Sequence, residues 1–134
     1  MLKDEGRSAR QKTLKRAVRC RGVGLHSGAV VTMTLHPAEL NSGVQFRCGD
    51  QVIRADWRNV APSPLCTTLV AGSVSIATVE HLLAAFAGLE LDNVLVELSG
   101  PEVPAMDGSA APFVELVERA GLVEQRAPRA ARSR

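Results

Sequence analysis

Along residues 30–36 apolar and polar side chains alternate with a period of two, so Val31, Met33 and Leu35 share one face and Val30, Thr32, Thr34 and His36 the other. Pro37 has no amide hydrogen to donate and stops that ladder. Residues 44–47 and 51–54 flank Cys48-Gly49-Asp50 in a hairpin pattern, and 67–70, 74–76 and 94–98 read as further short strands. The mixed stretch 13–21 reads as a first strand, ended by Gly22-Val23-Gly24. The period then lengthens. Val79, Leu82, Leu83 and Phe86 fall at i, i+3, i+4 and i+7, with Thr78 as the expected N-cap and Gly88 as the expected glycine just past the helix end. A second helix is announced by Asp107-Gly108-Ser109, carries Phe113, Leu116, Val117 and Ala120 on one stripe, tolerates Pro112 in its first turn, and closes at Gly121. Strands followed by helix, strand and helix predict an α+β two-layer sandwich, a mostly antiparallel sheet covered on one face by two helices.

A length of 134 residues with 46% hydrophobic content suits one domain around a single core. Cys20, Cys48 and Cys66 are odd in number and form no C-x-x-C pair, which argues against a disulfide framework or a thiolate zinc cluster and for a reducing, cytoplasmic compartment. The longest strongly apolar run, 82–89, is far short of the ~20 residues that span a bilayer, so no transmembrane segment is expected. The net charge of +2 hides an asymmetry: residues 1–22 carry +6, 126–134 carry +4, and the middle carries −8. Residues 1–12 are expected to be a basic mobile leader, 13–125 the folded domain, and 126–134 an Arg/Ala-rich tail. With one Trp, three Phe, no Tyr and the basic residues confined to the flanks, no specific nucleic-acid partner is expected.

Glu80 and His81 are the only titratable residues of the first predicted helix. Both lie in its first turn, where the macrodipole favours an ionised carboxylate and a neutral imidazole, the forms of a general base and a metal ligand. An acid in a first turn is also an ordinary helix starter, so spacing leaves both readings open. Ala85, one turn beyond His81, excludes the H-E-x-x-H pattern, so any metal needs further ligands from elsewhere. The loop 22–28 has glycines at offsets 0, 2 and 6, which is not a dinucleotide-binding turn; it either brings His26 to a ligand or merely connects two strands. Cys66, in a loop stiffened by Pro62 and Pro64, is a ligand, a nucleophile or a small buried residue, and burial is expected. The proline-fixed, acidic loop 99–109 delivers Asp107 to the second helix, where capping accounts for it.

Taken in order, Thr13-Leu14-Lys15-Arg16, Gly22-Val23-Gly24-Leu25-His26-Ser27-Gly28, Leu65-Cys66-Thr67, Thr78-Val79-Glu80-His81-Leu82, Asp92-Asn93 and Pro101-Glu102-Val103-Pro104-Ala105-Met106-Asp107-Gly108-Ser109-Ala110 form a set. The set resembles the successive motifs of the UDP-3-O-acyl-N-acetylglucosamine deacetylase family, LpxC, from about Thr13 to about Arg129. The resemblance implies a zinc-dependent amide hydrolase that removes acetate from a UDP-linked, 3-O-acylated glucosamine in lipid A synthesis. It implies Glu80 as the general base and His81 as one Zn2+ ligand, with Leu25, His26, Leu65, Cys66 and Thr67 lining the substrate cleft. It assigns Asp107 no role beyond ordering its loop. The family has two similar α+β domains and draws its other zinc ligands, a His and an Asp, and a further catalytic His from the second. This chain matches the first, so its ligand set is incomplete and a second domain supplied in trans is an expected partner. The alternative is a non-catalytic binding or regulatory module, or an inactive truncated product, that keeps the same fold.

Overall fold

The structure, a computed structural model, describes residues 10–56, 59–62 and 67–128. Along them run β1 (Arg10–Leu14), β2 (Val18–Gly24), β3 (Val30–Pro37), β4 (Val44–Cys48), β5 (Gln51–Arg54), β6 (Val60–Pro62), β7 (Thr67–Ala71), β8 (Val74–Ala77), α1 (Glu80–Gly88), β9 (Val94–Leu98), β10 (Pro104–Ala105), α2 (Ala111–Ala120) and β11 (Leu122–Pro128). The main sheet has the order β10-β2-β3-β9-β4-β5 and is antiparallel throughout except where β4 meets β9. Val31, Met33 and Leu35 all face inward, as their alternation requires, and join Phe46, Ile53, Val94, Val96 and Leu98 from the neighbouring strands. Leu82, Ala85 and Phe86 of α1 and Phe113, Leu116, Val117 and Ala120 of α2 close the same core. The architecture is the expected α+β one, a mostly antiparallel sheet with two helices, supplemented by the small sheets β6-β7-β8 and β1-β11.

The described segments nearest the two ends, residues 10–17 and 122–128, fold differently from the expectation. Residues 13–21 form two strands in place of one, because β1 pairs with β11 while β2 pairs with β3, and the chain must turn between sheets at Lys15-Arg16-Ala17. Both partners of the β1-β11 pair reach into segments read as leader and tail, from Arg10 at one end to Pro128 at the other. A polar network holds them there. Asn93 Nδ2 donates to Gln11 Oε1 and Gln125 Oε1, both at 2.8 Å, and Asn93 Oδ1 accepts from the Gly43 amide at 2.9 Å. Gln11 Nε2 donates to Asn41 Oδ1 at 2.8 Å and to the Pro128 carbonyl at 3.0 Å, while Gln11 Oε1 also accepts from the Asn41 amide. Gln125 Nε2 donates to the Ala38 carbonyl at 3.1 Å. Gln11 and Asn93 are buried, and buried amides are tolerated when their donors and acceptors are satisfied in this way.

Both starts of the helices depart from the predicted caps. Val79 is the N-cap of α1 and makes no side-chain cap bond, whereas Thr78 is left-handed with φ 64°. Its place is taken by backbone: the Thr67 carbonyl accepts from the amides of Thr78 at 2.9 Å and Val79 at 3.2 Å. Gly88 remains inside α1, and the left-handed residue past the helix end is Glu90, φ 57°, followed by a bond from the Leu91 amide to the Phe86 carbonyl. Ala110 is the N-cap of α2, and Gly121, φ 84°, ends that helix as expected. Cys20 and Cys48 are free and half-buried; Cys66 lies outside the described residues. Among the described residues no helix is long and apolar enough to cross a membrane.

Candidate functional site

The first turn of α1 presents Glu80 and His81 to a cavity of about 230 Å³. The loop after β2 contributes Leu25 to its wall, β10 and the residue after it contribute Pro104, Ala105 and Met106, and α2 with its approach contributes Ser109 and Phe113. The cavity is thus apolar on most sides with a carboxylate and an imidazole on one, a composition suited to binding an organic ligand and acting on one of its bonds. Glu80 Oε1 accepts a hydrogen bond from the Thr67 amide at 3.1 Å, so the start of β7 fixes the carboxylate as well as the helix start.

The sequence-derived residues separate accordingly. Glu80, His81 and Leu25 share the cavity, and Thr67 reaches Glu80 through its backbone. His26 is exposed on the same loop as Leu25, with its amide turned to a carboxylate described below. Leu65 and Cys66 lie outside the described residues. Asp107 does not cap α2: its Oδ1 accepts from the Ser109 hydroxyl at 2.6 Å and the Ser109 amide at 2.9 Å, closing a local turn. The Ser109 hydroxyl bond is the main reason its carboxyl sits below the usual carboxylate range; desolvation opposes this, and the backbone bonds and nearby His81 support it.

Two residues escaped the sequence. Glu102 read as one more acid in a loop, and Thr78 as a helix cap. Thr78 instead combines a left-handed backbone, unusual for a β-branched residue, with a buried hydroxyl that has no hydrogen-bond partner among the described residues, and it lines the cavity beside Glu80. Such backbone strain costs on the order of 1–3 kcal/mol and collects at functional sites. Thr78→Gly should therefore raise the Tm by about 3–5 °C, since glycine adopts this conformation freely and its extra unfolded-state entropy offsets only part of the relief. Thermal denaturation of the two proteins checks this.

Among the described residues no group of three His, Cys, Asp or Glu side chains converges to hold a metal ion. A catalytic zinc ordinarily takes three protein ligands and keeps one open position, and the described residues at this cavity do not fill that set.

Comparison with known proteins gives the class first: residues 11–133 match the family described as LpxC, UDP-3-O-acyl N-acetylglycosamine deacetylase, and the chain belongs to that deacetylase family. Among individual relatives, it is 56% identical over 124 residues to the UDP-3-O-acyl-N-acetylglucosamine deacetylase of Methylococcus capsulatus. It is 53% identical over 124 residues to that of Chromohalobacter salexigens and 52% over 124 residues to that of Nitrosococcus oceani. Each match covers 90% of this chain and 41% of the relative, so the chain spans about two fifths of the length of the curated relatives it matches.

Proposed function

We propose that this chain supplies the general base and one metal ligand of a zinc-dependent deacetylase acting on UDP-3-O-acyl-N-acetylglucosamine. The remaining ligands come from a second domain, so that the unit from about residue 13 to 125 is the first of two. The observation that carries this reading is Glu80 and His81 side by side at one apolar-walled cavity, in a chain of this family.

Zinc, when bound, would polarise the amide carbonyl and acidify water. The chain's own residues do the rest. Glu80, held in place by the Thr67 amide, accepts the proton of the attacking water and returns it to the glucosamine nitrogen as the C–N bond breaks, leaving acetate and the free amine. His81 is the residue that would hold the metal through an imidazole nitrogen. Leu25, Met106 and Phe113 pack against the apolar part of the substrate and keep bulk water from the reacting amide. The resemblance assigns Leu65 and Cys66 to the same substrate cleft.

A second reading is a non-catalytic binding or regulatory module that retains the fold. Zinc retention separates the two. After dialysis the 134-residue chain should hold far less than one equivalent, because one imidazole with waters binds the ion weakly. Mixed with the remaining length of the Methylococcus capsulatus enzyme, it should hold close to one, and His81→Ala should abolish that gain. A mixture that retains no more zinc than its separate parts would support the non-catalytic module.

A further inference from the structure

Among the described residues, Glu102 is the buried titratable group that the proposed chemistry leaves unused, with only 3% of its surface exposed. Its Oε1 accepts from the His26 amide and its Oε2 from the Ser27 amide, both at 3.0 Å, and the Ser27 hydroxyl donates as well. Burial pushes the carboxyl up, but the Ser27 hydroxyl and the two backbone bonds outweigh it, so the group sits below its ordinary range and is ionised at neutral pH. The loop is shaped around this carboxylate. A Cβ at Gly24 would lie 2.3 Å from Glu102 Oε2, so only glycine admits the approach. The backbone on either side of Glu102 is fixed to the residue next to Thr78: the Ala77 amide donates to the Pro101 carbonyl at 3.0 Å, and the Val103 amide to the Ala77 carbonyl at 3.1 Å. The following residues, Pro104 and Ala105, pair with Gly24 and Val23.

One residue thus joins three walls of the cavity: the approach to α1, the strand β10, and the loop that carries Leu25 and His26. We propose that Glu102 is a positioning residue, whose carboxylate seats the backbone of His26 and Ser27 and so holds Leu25 against the wall formed by Pro104, Ala105 and Met106. For its effect on substrate this rests on the reading of the cavity given above; the seating of the loop does not.

Amide hydrogen exchange on the 134-residue chain tests the seating without zinc or substrate. In Glu102→Gln the single amide oxygen can satisfy one of the two N–H groups, while its NH2 faces the other. His26 and Ser27 should then exchange about 10–100-fold faster, the loss expected for charge-assisted bonds. Core amides such as Met33, Leu35 and Val96 should keep their rates. Gly24→Ala, which displaces the carboxylate while leaving it in the chain, should give the same local pattern, and it decides the matter if Glu102→Gln does not fold. Unchanged exchange at His26 and Ser27 would overturn the proposal, and so would an equal rise across the core, which would make Glu102 a general structural group. In a two-domain preparation that releases acetate, Glu102→Gln should raise KM several-fold with kcat within about twofold. A fall in kcat alone would count against positioning, whereas absent turnover in the unaltered mixture bears only on the proposed function.

Discussion

Asn93→Leu is expected to cost about 3–5 kcal/mol of folding stability, although leucine has the same side-chain branching and the site is buried, because each polar partner left unsatisfied costs about 1–3 kcal/mol. Three partners lose a bond at once: Gln11 Oε1, Gln125 Oε1 and the Gly43 amide. Gln11 Oε1 keeps its bond from the Asn41 amide, which moderates its share; Gln125 Oε1 and the Gly43 amide have no such substitute in the network described here. The damage should begin at the β1-β11 pair, since Gln11 sits on one strand and Gln125 on the other. A domain of this size has roughly 5–15 kcal/mol in total, so the variant should unfold at a much lower urea concentration with an unchanged m-value. A midpoint within experimental scatter of the unaltered protein would show that the network is dispensable.

Glu80→Gln should have the largest effect on turnover, about 10²–10⁴-fold, the range for removing a general base. The substitution is chosen to isolate proton chemistry. Glutamine has the same shape, and its carbonyl oxygen can still accept from the Thr67 amide that now holds Glu80 Oε1 at 3.1 Å. The start of α1, tied separately by the Thr78 and Val79 amides to the Thr67 carbonyl, should be undisturbed. Folding stability and zinc retention in the two-part mixture should therefore change little while kcat collapses.

The parts of the fold legible in the sequence are those decided by burial on one face. Val31, Met33 and Leu35 alternate because one side of β3 meets the core, and Leu82, Phe86, Leu116 and Val117 keep helical spacing for the same reason. Strands β1 and β11 are held by amide side chains, in a region without apolar periodicity, so no hydrophobic pattern could announce them. The start of α1 was misplaced because a backbone carbonyl 11 positions back, that of Thr67, performs the task that local capping rules give to Thr78. Glu80 and His81 stood out as charges on an otherwise apolar helix, and the structure puts both on one cavity with Leu25. Glu102 was invisible for the opposite reason: its partners are main-chain amides 75 and 76 residues away, and a main-chain amide has no signature in a sequence.

The central claim is that Glu80 performs proton transfer in a site completed by a second domain, and acetate release tests it most directly. The 134-residue chain would be mixed with the remaining length of the Methylococcus capsulatus deacetylase, zinc and UDP-3-O-acyl-N-acetylglucosamine, with unaltered and Glu80→Gln chains run in parallel. The account predicts release only when both parts are present, falling about 10²–10⁴-fold in the variant. Release that survives Glu80→Gln, or none from a stoichiometric zinc-loaded complex of the unaltered parts, would contradict it.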